Sequence, residues 1–397
     1  MAARPPAIHQ VLATLAYGDA IGHEVLGIQR VLRDAGYRSE IFVETADRIL
    51  EGMTRDYREL VDASHPDNLF LHHFSIGSKA SRTAFALPDR MALIYHNITP
   101  PEYFSSVHPT LARQCFRGRR ELRAYIDRVD LAMGDSEFNR QDLVALGFPR
   151  TAVLPVVPDF SHLDRPANRM IAGRYDDDWT NILFVGRVIS NKKIEDVIRF
   201  YDVYRREFNP RSRLLIVGAF SMFERYLAAL FHLIDDLHLD HVHFSGHISD
   251  EELVAYYDVA DLFLCASEHE GFCVPIVEAF YKEVPVVAYG ATAVPATMDG
   301  AGLLFTDRNP HIVAGLMDAV LADDALRDRL VAGQLAAVDR LRAKDFGGTL
   351  MALVDRILSA PRAAAPRIAP DFWHQFDEAQ QLEEIRMDRP SAFMALP

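Results

Sequence analysis

The sequence is poor in cysteine, in tryptophan and in long apolar runs, and each shortage excludes a class of protein. Its 397 residues include three cysteines and two tryptophans. Cys115, Cys265 and Cys273 are too few and too scattered to indicate a disulfide framework or a zinc site. No apolar run is long enough to span a bilayer, and the first residues lack the apolar core of a signal peptide. We therefore expect a cytoplasmic protein.

Positive charge is scarce as well. Forty-two Lys and Arg residues against 56 Asp and Glu residues leave a formal net charge of -14 at pH 7. Because such a protein repels phosphates, no nucleic-acid partner is expected. The Gly-x-Gly-x-x-Gly pattern of dinucleotide-binding proteins is also missing, which disfavours a nicotinamide dehydrogenase.

One local concentration of arginine runs against this acidity. Such a run usually forms a solvated helix face, but it could also meet an anionic membrane surface or a lipid diphosphate. Peripheral contact with the inner face of the membrane is therefore kept as a hypothesis, which liposome flotation would test. The residues are Arg113, Arg117, Arg119, Arg120, Arg123 and Arg128.

Short apolar runs alternate with helical patterns along most of the chain. This order predicts an α/β protein with parallel sheets covered by helices. The strand candidates of the first half are Ile8–Leu15, Glu40–Glu44, Asn68–Phe74, Ala92–Ile98, Leu131–Gly134 and Val153–Val157. Those of the second half are Ile182–Gly186, Leu214–Gly218, Val242–Gly246, Leu262–Ala266, Pro285–Tyr289 and Gly302–Phe305.

These two series predict two Rossmann-like domains, residues 1–160 and 181–359. Residues 161–180 are interpreted as a polar linker, whose run of three aspartates at 176–178 is solvated rather than metal-binding. A C-terminal tail at 360–397 is expected to carry a helix, anchored by Trp373 and Phe376, that packs back on the first domain. Ligands of such sheets bind at the carboxyl ends of the strands, so the active site is expected in the cleft between the domains.

Two glutamates flank a predicted strand-to-helix turn in the second half. Glu270 lies in the turn, and Glu278 lies one turn inside a helix that Pro275 is expected to begin. Because a helix start presents unpaired backbone N–H groups, the two carboxylates could address two parts of one ligand lying across it. The alternative is a solvated ion pair between Glu278 and Lys282, with ordinary acids in the loop.

Cations and histidines follow other predicted strands. Arg187 and Lys192, after the first strand of the second half, are placed to neutralise a diphosphate, unless they are merely solvated. His73 and His96 follow strands of the first half and point at the cleft, although one of the pair at 72–73 is expected to be structural. A metal at these histidines would need a third ligand and a second shell of partners.

Two segments of the second half carry a family resemblance. Glu-Gly-Phe-Cys-Val-Pro-Ile-Val-Glu-Ala, residues 270–279, closely resembles the Glu-Gly-Phe-Gly-Leu-Pro-x-x-Glu-Ala signature of the retaining glycosyltransferases of family 4. Cys273 replaces the usual glycine. Phe-Val-Gly-Arg at 184–187, followed by Asn-Lys-Lys at 191–193, resembles the family's second motif. The resemblance is strong over residues 181–345 and looser in the first half.

The resemblance implies a GT-B fold and a role for each matching residue. Glu270 and His96 would act at the donor sugar, assisted by Phe272, Cys273 and Val274. Arg187, Lys192 and Gly22 would hold the leaving diphosphate. Glu278, Gly218 and Ile248 would bind the nucleoside, and His73, Asn97 and Ser136 are candidates for contact with sugar or acceptor. Because the cations and the helix start take the leaving-group charge, no metal and no cofactor besides the donor is expected.

The sequence thus predicts a retaining, metal-independent hexosyltransferase. Mannose from GDP-mannose is the favoured donor, because the segments around His73 and His96 resemble bacterial mannosyltransferases of polysaccharide assembly. The acceptor would be a hydroxyl of a glycan or lipid-linked glycan. Alternatives are a UDP-sugar-dependent transferase, a GT-B sugar-nucleotide epimerase and a sugar-nucleotide-binding protein without catalysis. A glycosidase that uses Glu270 and Glu278 is disfavoured, since one of them lies inside a helix.

Overall fold

The computed structural model describes residues 6–16, 20–156, 158–362, 382, 386–387 and 390–394. It contains two parallel sheets with helices packed on them, which confirms the predicted α/β class with two Rossmann-like domains. Within these described ranges, no helix combines the length and the apolar character needed to cross a membrane.

The first sheet has seven strands in the order β3-β2-β1-β4-β5-β6-β7, all paired in parallel. Its strands are β1 Ile8–Leu15, β2 Ile41–Ala46, β3 Thr54–Asp56, β4 Leu69–Phe74, β5 Arg90–Tyr95, β6 Leu131–Gly134 and β7 Thr151–Val153. Helices α1 Ala20–Asp34, α2 Leu60–Ala63, α3 Lys79–Ala86, α4 Pro109–Leu122 and α5 Glu137–Leu146 connect them.

The second sheet has six parallel strands in the order β10-β9-β8-β11-β12-β13. They are β8 Thr180–Val185, β9 Ser212–Val217, β10 Val242–Phe244, β11 Leu262–Cys265, β12 Val286–Tyr289 and β13 Leu303–Phe305. Its helices are α7 Ile194–Glu207, α8 Glu224–Asp236, α9 Asp250–Asp258, α10 Val274–Tyr281, α11 Val294–Met298, α12 Pro310–Ala322 and α13 Asp324–Arg342.

The strand sequences explain why both sheets are covered on two faces. Strands β4, β5, β6, β9 and β11 are buried along their whole length. A strand between two helical layers must be apolar at nearly every position rather than at alternate ones. The carboxyl ends of the two sheets face each other, as rings from both domains pack together where Phe104 and His108 contact Phe223.

The segment interpreted as a polar linker is more ordered than predicted. A 3-10 turn spans Phe160–Asp164, and helix α6 spans Arg169–Tyr175. Leu163 and Tyr175 of this segment, with Phe160 just before it, are buried in the core of the second domain, so this part of the linker prediction was wrong. The aspartates after it form ion pairs, Asp177 with Arg213 and Asp178 with Arg211.

The chain crosses back to the first domain earlier than predicted. Helix α14, Phe346–Ser359, was assigned by sequence to the second domain. Its buried face, Leu350, Val354 and Ile357, instead packs against Ile8, Leu32 and their neighbours in the first domain. The apolar face of α14 must be buried against another apolar surface, and the first domain provides that surface. The predicted tail helix, with Trp373 and Phe376, lies outside the described residues; helix α15 spans Pro390–Met394.

Candidate active site

A buried ion pair joins two loops at the carboxyl edge of the second sheet. Lys192 Nζ lies 2.5 Å from Glu270 Oε1, and their side chains are 18% and 7% exposed. The backbone N–H of Glu270 also donates to Thr292 Oγ1 at 2.9 Å. Burial lowers the pKa of Lys192, but the charge and hydrogen bond of Glu270, together with the nearby thiols of Cys273 and Cys265, raise it above its ordinary value. Lys192 therefore keeps its charge, and a phosphate and a sugar hydroxyl could each replace one partner of the pair.

Asn191 ties these loops together and was not singled out from the sequence. Its side-chain N–H donates to the backbone carbonyl of His269 at 3.0 Å, and its backbone carbonyl accepts from the N–H of Glu268 at 2.9 Å. In the sequence, Asn191 could have been recognised as a site residue because it lies next to Lys192 in the motif. Asn191 thus fixes the spacing between the cation and the acidic turn.

The start of α10 explains the glycine that is usual at position 273 in the resembling family. Cys273 has φ 77° and ψ 66°, in the left-handed region that favours glycine. Helix α10 then begins at Val274, so Pro275 occupies its second position rather than the first. Phe272 lies just before this turn, and its carbonyl accepts a hydrogen bond from Thr297. The backbone N–H groups of the helix start therefore face the same edge as Glu270.

Glu278 is buried inside α10 and is held from two sides. Its Oε2 accepts from the hydroxyl of Tyr257 at 3.0 Å, and its Oε1 lies 3.0 Å from His162 Nε2. His162 Nδ1 faces the carbonyl of Asp159 at 2.9 Å, so both ring nitrogens meet acceptors. Burial lowers the pKa of His162, but the hydrogen bond and charge of Glu278, together with the contacts of Asp159 and Asp250, raise it above its ordinary value. The suggested solvated pair of Glu278 with Lys282 is not formed, since Lys282 pairs with Asp258.

The pair of His162 and Glu278 should make stability depend on pH. Because the folded-state pKa of His162 is raised, its contribution is complete below the ordinary value of 6.5 and is lost as pH rises through the folded value. We expect the free energy of unfolding to be lower at about pH 9 than at about pH 6, which lie on either side of that transition. This decrease should be larger in the parent protein than in His162→Gln. Urea denaturation measures both, and equal differences would contradict the assignment.

Three glycines bring strand ends close together beside the ion pair. Gly218 has φ 146°, and a Cβ placed on it would lie 2.0 Å from the carbonyl oxygen of Gly186. Gly218 also forms an isolated bridge with Gly246. Ile248, two residues further on, is half-buried against the second core. Backbone without side chains at Gly186, Gly218 and Gly246 therefore lies where the resemblance places the nucleoside.

Arg187 and Gly22 approach this edge from opposite domains. Arg187, at the end of β8, is exposed, with its guanidinium carbon 5.7 Å from the ring centre of Phe223. Gly22 is buried in the first turn of α1, where the next residue, His23, has its ring 5.9 Å from that of His162. The start of α1 therefore lies near Glu278. Residues 17–19, which precede α1, are outside the described residues.

A chain of buried hydrogen bonds links the histidines of the first domain. Gln10 Nε2 donates to the carbonyl of Val25, so Gln10 Oε1 accepts from His73 Nε2 at 2.9 Å. Burial holds the pKa of His73 well below its ordinary value, so the ring is neutral. His73 Nδ1 then accepts from His96 Nε2 at 2.8 Å, and His96 Nδ1 faces Asp135 Oδ2 at 2.9 Å.

Glu24 completes this cluster and was missed in the sequence. Its Oε2 lies 3.8 Å from His96 Nδ1. Burial, and then the negative charge of Asp135, raise the pKa of Glu24 to about 8, although His96 opposes the shift. The only sequence signal was an acid in the first turns of a helix that follows a strand, which is too common to single it out. Four polar side chains thus meet at one edge of the first sheet.

Other first-domain candidates have structural partners. His72 bonds the carbonyl of Val11 at 3.1 Å and is fully buried, so it is the structural member of its pair, as expected. Ser136 caps α5 by accepting from the N–H of Asn139 at 3.2 Å, the alternative that its position suggests. Asn97 donates to Asn139 Oδ1 at 3.0 Å. A Cβ on Gly271 would lie 3.5 Å from that of Asn97, so the domains touch there.

The arginine run does not form one solvated face. Arg128 is buried and donates to the carbonyls of Phe85, Leu87 and Asp89. Arg119 donates to the carbonyl of Ile98 at 2.6 Å. These two residues stabilise the first domain, which leaves fewer arginines for a membrane surface.

Two facing Rossmann-like domains with the donor-type motifs at their shared edge define the GT-B class of fold. The chain superposes on an Anabaena protein, HepE, solved in complex with UDP-glucose, with a TM-score of 0.68. Sequence identity is 17%, and the match covers 88% of this chain and 99% of the other.

Residues 164–334 match the family model of glycosyl transferases group 1. Residues 164–334 therefore form a glycosyl transferases group 1 domain, in agreement with the resemblance that the motifs carry. It is 25% identical over 302 residues to the O-antigen chain mannosyltransferase B of Escherichia coli, covering 74% of this chain and 72% of the relative. It is 27% identical over 262 residues to a GDP-mannose-dependent alpha-(1-6)-phosphatidylinositol monomannoside mannosyltransferase of Mycobacterium tuberculosis, covering 62% of this chain and 66% of that relative.

Proposed function

We propose that this glycosyltransferase moves mannose from GDP-mannose to a hydroxyl of a glycan or lipid-linked glycan, with retention of the anomeric configuration. The observation that carries the proposal is the buried pair of Lys192 and Glu270 beside the start of α10. It places a cation, a carboxylate and backbone donors at one point, which is what a sugar diphosphate requires.

The leaving diphosphate is proposed to bind Arg187 and Lys192. When the bond between the anomeric carbon and the diphosphate oxygen breaks, negative charge grows on that oxygen, and fixed cations stabilise it. The acceptor oxygen then bonds to the anomeric carbon on the same face, and its proton leaves with the diphosphate. Gly22 and the start of α10 would supply backbone N–H groups. No metal is needed for this neutralisation.

The two glutamates are proposed to bind different parts of the donor. Glu270 would exchange its contact with Lys192 for hydroxyls of the sugar, with the backbone of Phe272, Cys273 and Val274 beside it. Glu278 would accept hydrogen bonds from ribose hydroxyls, since a carboxylate oxygen with one partner still has acceptor capacity. The base would lie along Gly218 and Ile248. On the facing domain, His96, His73 and Asn97 would contact the sugar or acceptor.

The choice of donor is supported by the relatives, two of which are named as mannosyltransferases and one as GDP-mannose-dependent. A UDP-sugar is the alternative, because the protein of similar fold was solved with UDP-glucose. A sugar-nucleotide epimerase would convert the donor without an acceptor, and a binding protein would neither convert the donor nor transfer its sugar.

Release of nucleoside diphosphate from GDP-mannose, UDP-glucose and UDP-galactose, measured with and without a glycan acceptor, separates these cases. We propose that the protein works in the cytoplasm, in peripheral contact with the membrane where its acceptor is lipid-linked.

Replacing Arg187 should weaken transfer without unfolding the protein. Arg187→Ala removes charge-assisted hydrogen bonds worth roughly 1.5–3 kcal/mol each, so kcat/KM should fall at least about tenfold. Arg199→Ala, which removes an exposed arginine of the same domain, is the matched control and should leave kcat/KM unchanged. Equal kinetics in Arg187→Ala and the parent would remove Arg187 from the diphosphate site.

A further inference from the structure

The outer face of helix α4 carries most of the arginine run. Residues three and four positions apart share one side of a helix. The side of α4 that includes Cys115, Gly118 and Leu122 is buried in the first domain. The opposite side presents Arg113, Phe116, Arg117 and Arg120, and Arg123 continues it in the next turn.

Phe116 places an aromatic ring in the middle of this basic face. Its side chain is 54% exposed, and the guanidinium carbon of Arg120 lies 6.0 Å from the centre of its ring. A single exposed apolar side chain is ordinary on a protein surface. An apolar ring that arginines surround on one helix face is instead typical of helices that lie in a membrane interface.

The positive charge of this face is not balanced within the helix. The one acidic residue of α4, Glu121, is 1% exposed and lies on another side, where its Oε2 is 3.5 Å from Arg82 Nη1. The chain as a whole has a formal net charge of -14. An anionic surface therefore repels most of the protein and attracts this face, which selects one orientation of the molecule.

We infer that the outer face of α4 docks on an anionic lipid bilayer. Phe116 then enters the headgroup region, and Arg113, Arg117 and Arg120 lie against the lipid phosphates. A soluble polyanion would also attract the arginines, but it offers no apolar phase for the ring, so a bilayer fits the face better. The arginines that stabilise the first domain, Arg119 and Arg128, take no part.

The docked face borders a cavity of about 210 Å³ in the first domain. Gln114, Arg117 and Glu121 of α4 line one side of the cavity, and the loop at 76–78 lines another. That loop follows β4, the strand that carries His73. A lipid-linked acceptor in the bilayer would therefore find this cavity between the membrane and the cleft. This consequence rests on the proposed function, whereas docking on the bilayer does not.

The test is co-sedimentation of the full chain with two kinds of vesicle. One kind is phosphatidylcholine alone, and the other contains about 30% phosphatidylglycerol, both at about 0.1 M salt, where charges act over about 10 Å. We expect binding to the anionic vesicles only. Because each arginine contributes about fivefold, the triple variant Arg113→Gln/Arg117→Gln/Arg120→Gln should bind at least about tenfold more weakly.

A second triple variant is the matched control for charge. Arg206→Gln/Arg211→Gln/Arg340→Gln makes the same change of net charge at arginines of the second domain whose side chains are 61%, 59% and 54% exposed. Because these arginines lie away from α4, this variant should bind the anionic vesicles as the parent does.

Two substitutions of Phe116 test whether the ring enters the lipid. Phe116→Ser should weaken binding at least about fivefold, because the apolar contact with lipid is lost. Phe116→Trp should bind as the parent does. On binding, its fluorescence should shift to shorter wavelength and be quenched by brominated lipid, beyond any change that the parent shows.

The inference is overturned if the parent binds neither kind of vesicle or binds both equally, and this comparison decides the matter even if a variant does not fold. Equal binding by the two triple variants would also overturn it. Unchanged binding of Phe116→Ser would mean that the face attracts polyanions in general and does not enter a bilayer. No nucleotide is present in these assays, so failure to bind GDP with intact vesicle binding would count only against the proposed function.

Discussion

Lys192→Met is expected to lower kcat/KM by about 10²–10³-fold, the effect of removing one preorganised group that stabilises a developing oxyanion. Methionine keeps most of the volume of the side chain but removes the charge that Glu270 faces at 2.5 Å. The loss should lie mainly in kcat, because the leaving diphosphate gains charge as its bond to the sugar breaks. Steady-state kinetics with GDP-mannose measures it.

The same substitution should also destabilise the fold, which provides a second readout. Breaking a buried ion pair on one side costs about 3–5 kcal/mol, since the remaining carboxylate is left unpaired. The double variant Lys192→Met/Glu270→Gln should recover most of that stability but none of the activity. Recovery of activity in the double variant would show that the pair is structural only.

Lys193→Met is the matched control for this series. Lys193 is the next residue and also pairs with a glutamate, Glu195, at 2.7 Å. Its backbone lies in the left-handed region immediately before α7. Because Lys193 pairs with Glu195 of α7 rather than with Glu270, its replacement should change kcat/KM by less than about threefold, within the scatter of ordinary surface substitutions.

Gly218→Ala is expected to give the largest loss of stability among single methyl additions. Its new Cβ would lie 2.0 Å from the carbonyl oxygen of Gly186, and φ is 146°. Backbone at both positions must move, so overpacking and strain together should cost about 3–5 kcal/mol. The shift would separate the ends of β8 and β9, and nucleotide binding should be lost as well.

Gly315→Ala is the control, because nothing lies within 4 Å of the Cβ it would add on α12. There the substitution should stabilise the protein by about 0.5–1 kcal/mol, as alanine is the better helix former. Thermal unfolding of both variants measures the contrast. A Gly218→Ala protein as stable as the parent would mean that the two strand ends are not in contact.

The sequence was most informative about features set by local pattern. Strand β1 at Ile8–Leu15 and strand β6 at Leu131–Gly134 have their predicted bounds, because short apolar runs there end at polar or turn residues. The motif residues Lys192 and Glu270 were placed at neighbouring strand ends by the rule that parallel strands end at one edge. The donor-side cluster could therefore be outlined before its geometry was known.

The features that were missed depend on contacts between distant parts of the chain. Glu24 meets Asp135 across 111 positions of sequence, and no local pattern marks that pairing. The packing of α14 on the first sheet was missed for the same reason, because its apolar stripe does not indicate which domain it covers. The apparent linker contained too few apolar residues for a pattern, although Phe160 and Tyr175 are enough to dock it.

The most direct test of the central claim is a calorimetric titration of the parent and of Arg187→Ala with GDP, UDP, ADP and NAD, without added metal. The account predicts saturable binding of GDP to the parent, weaker by at least about tenfold in the variant, and no binding of NAD. Binding of NAD alone, or of none of the four, would contradict the placement of a nucleotide sugar at the ends of the second sheet.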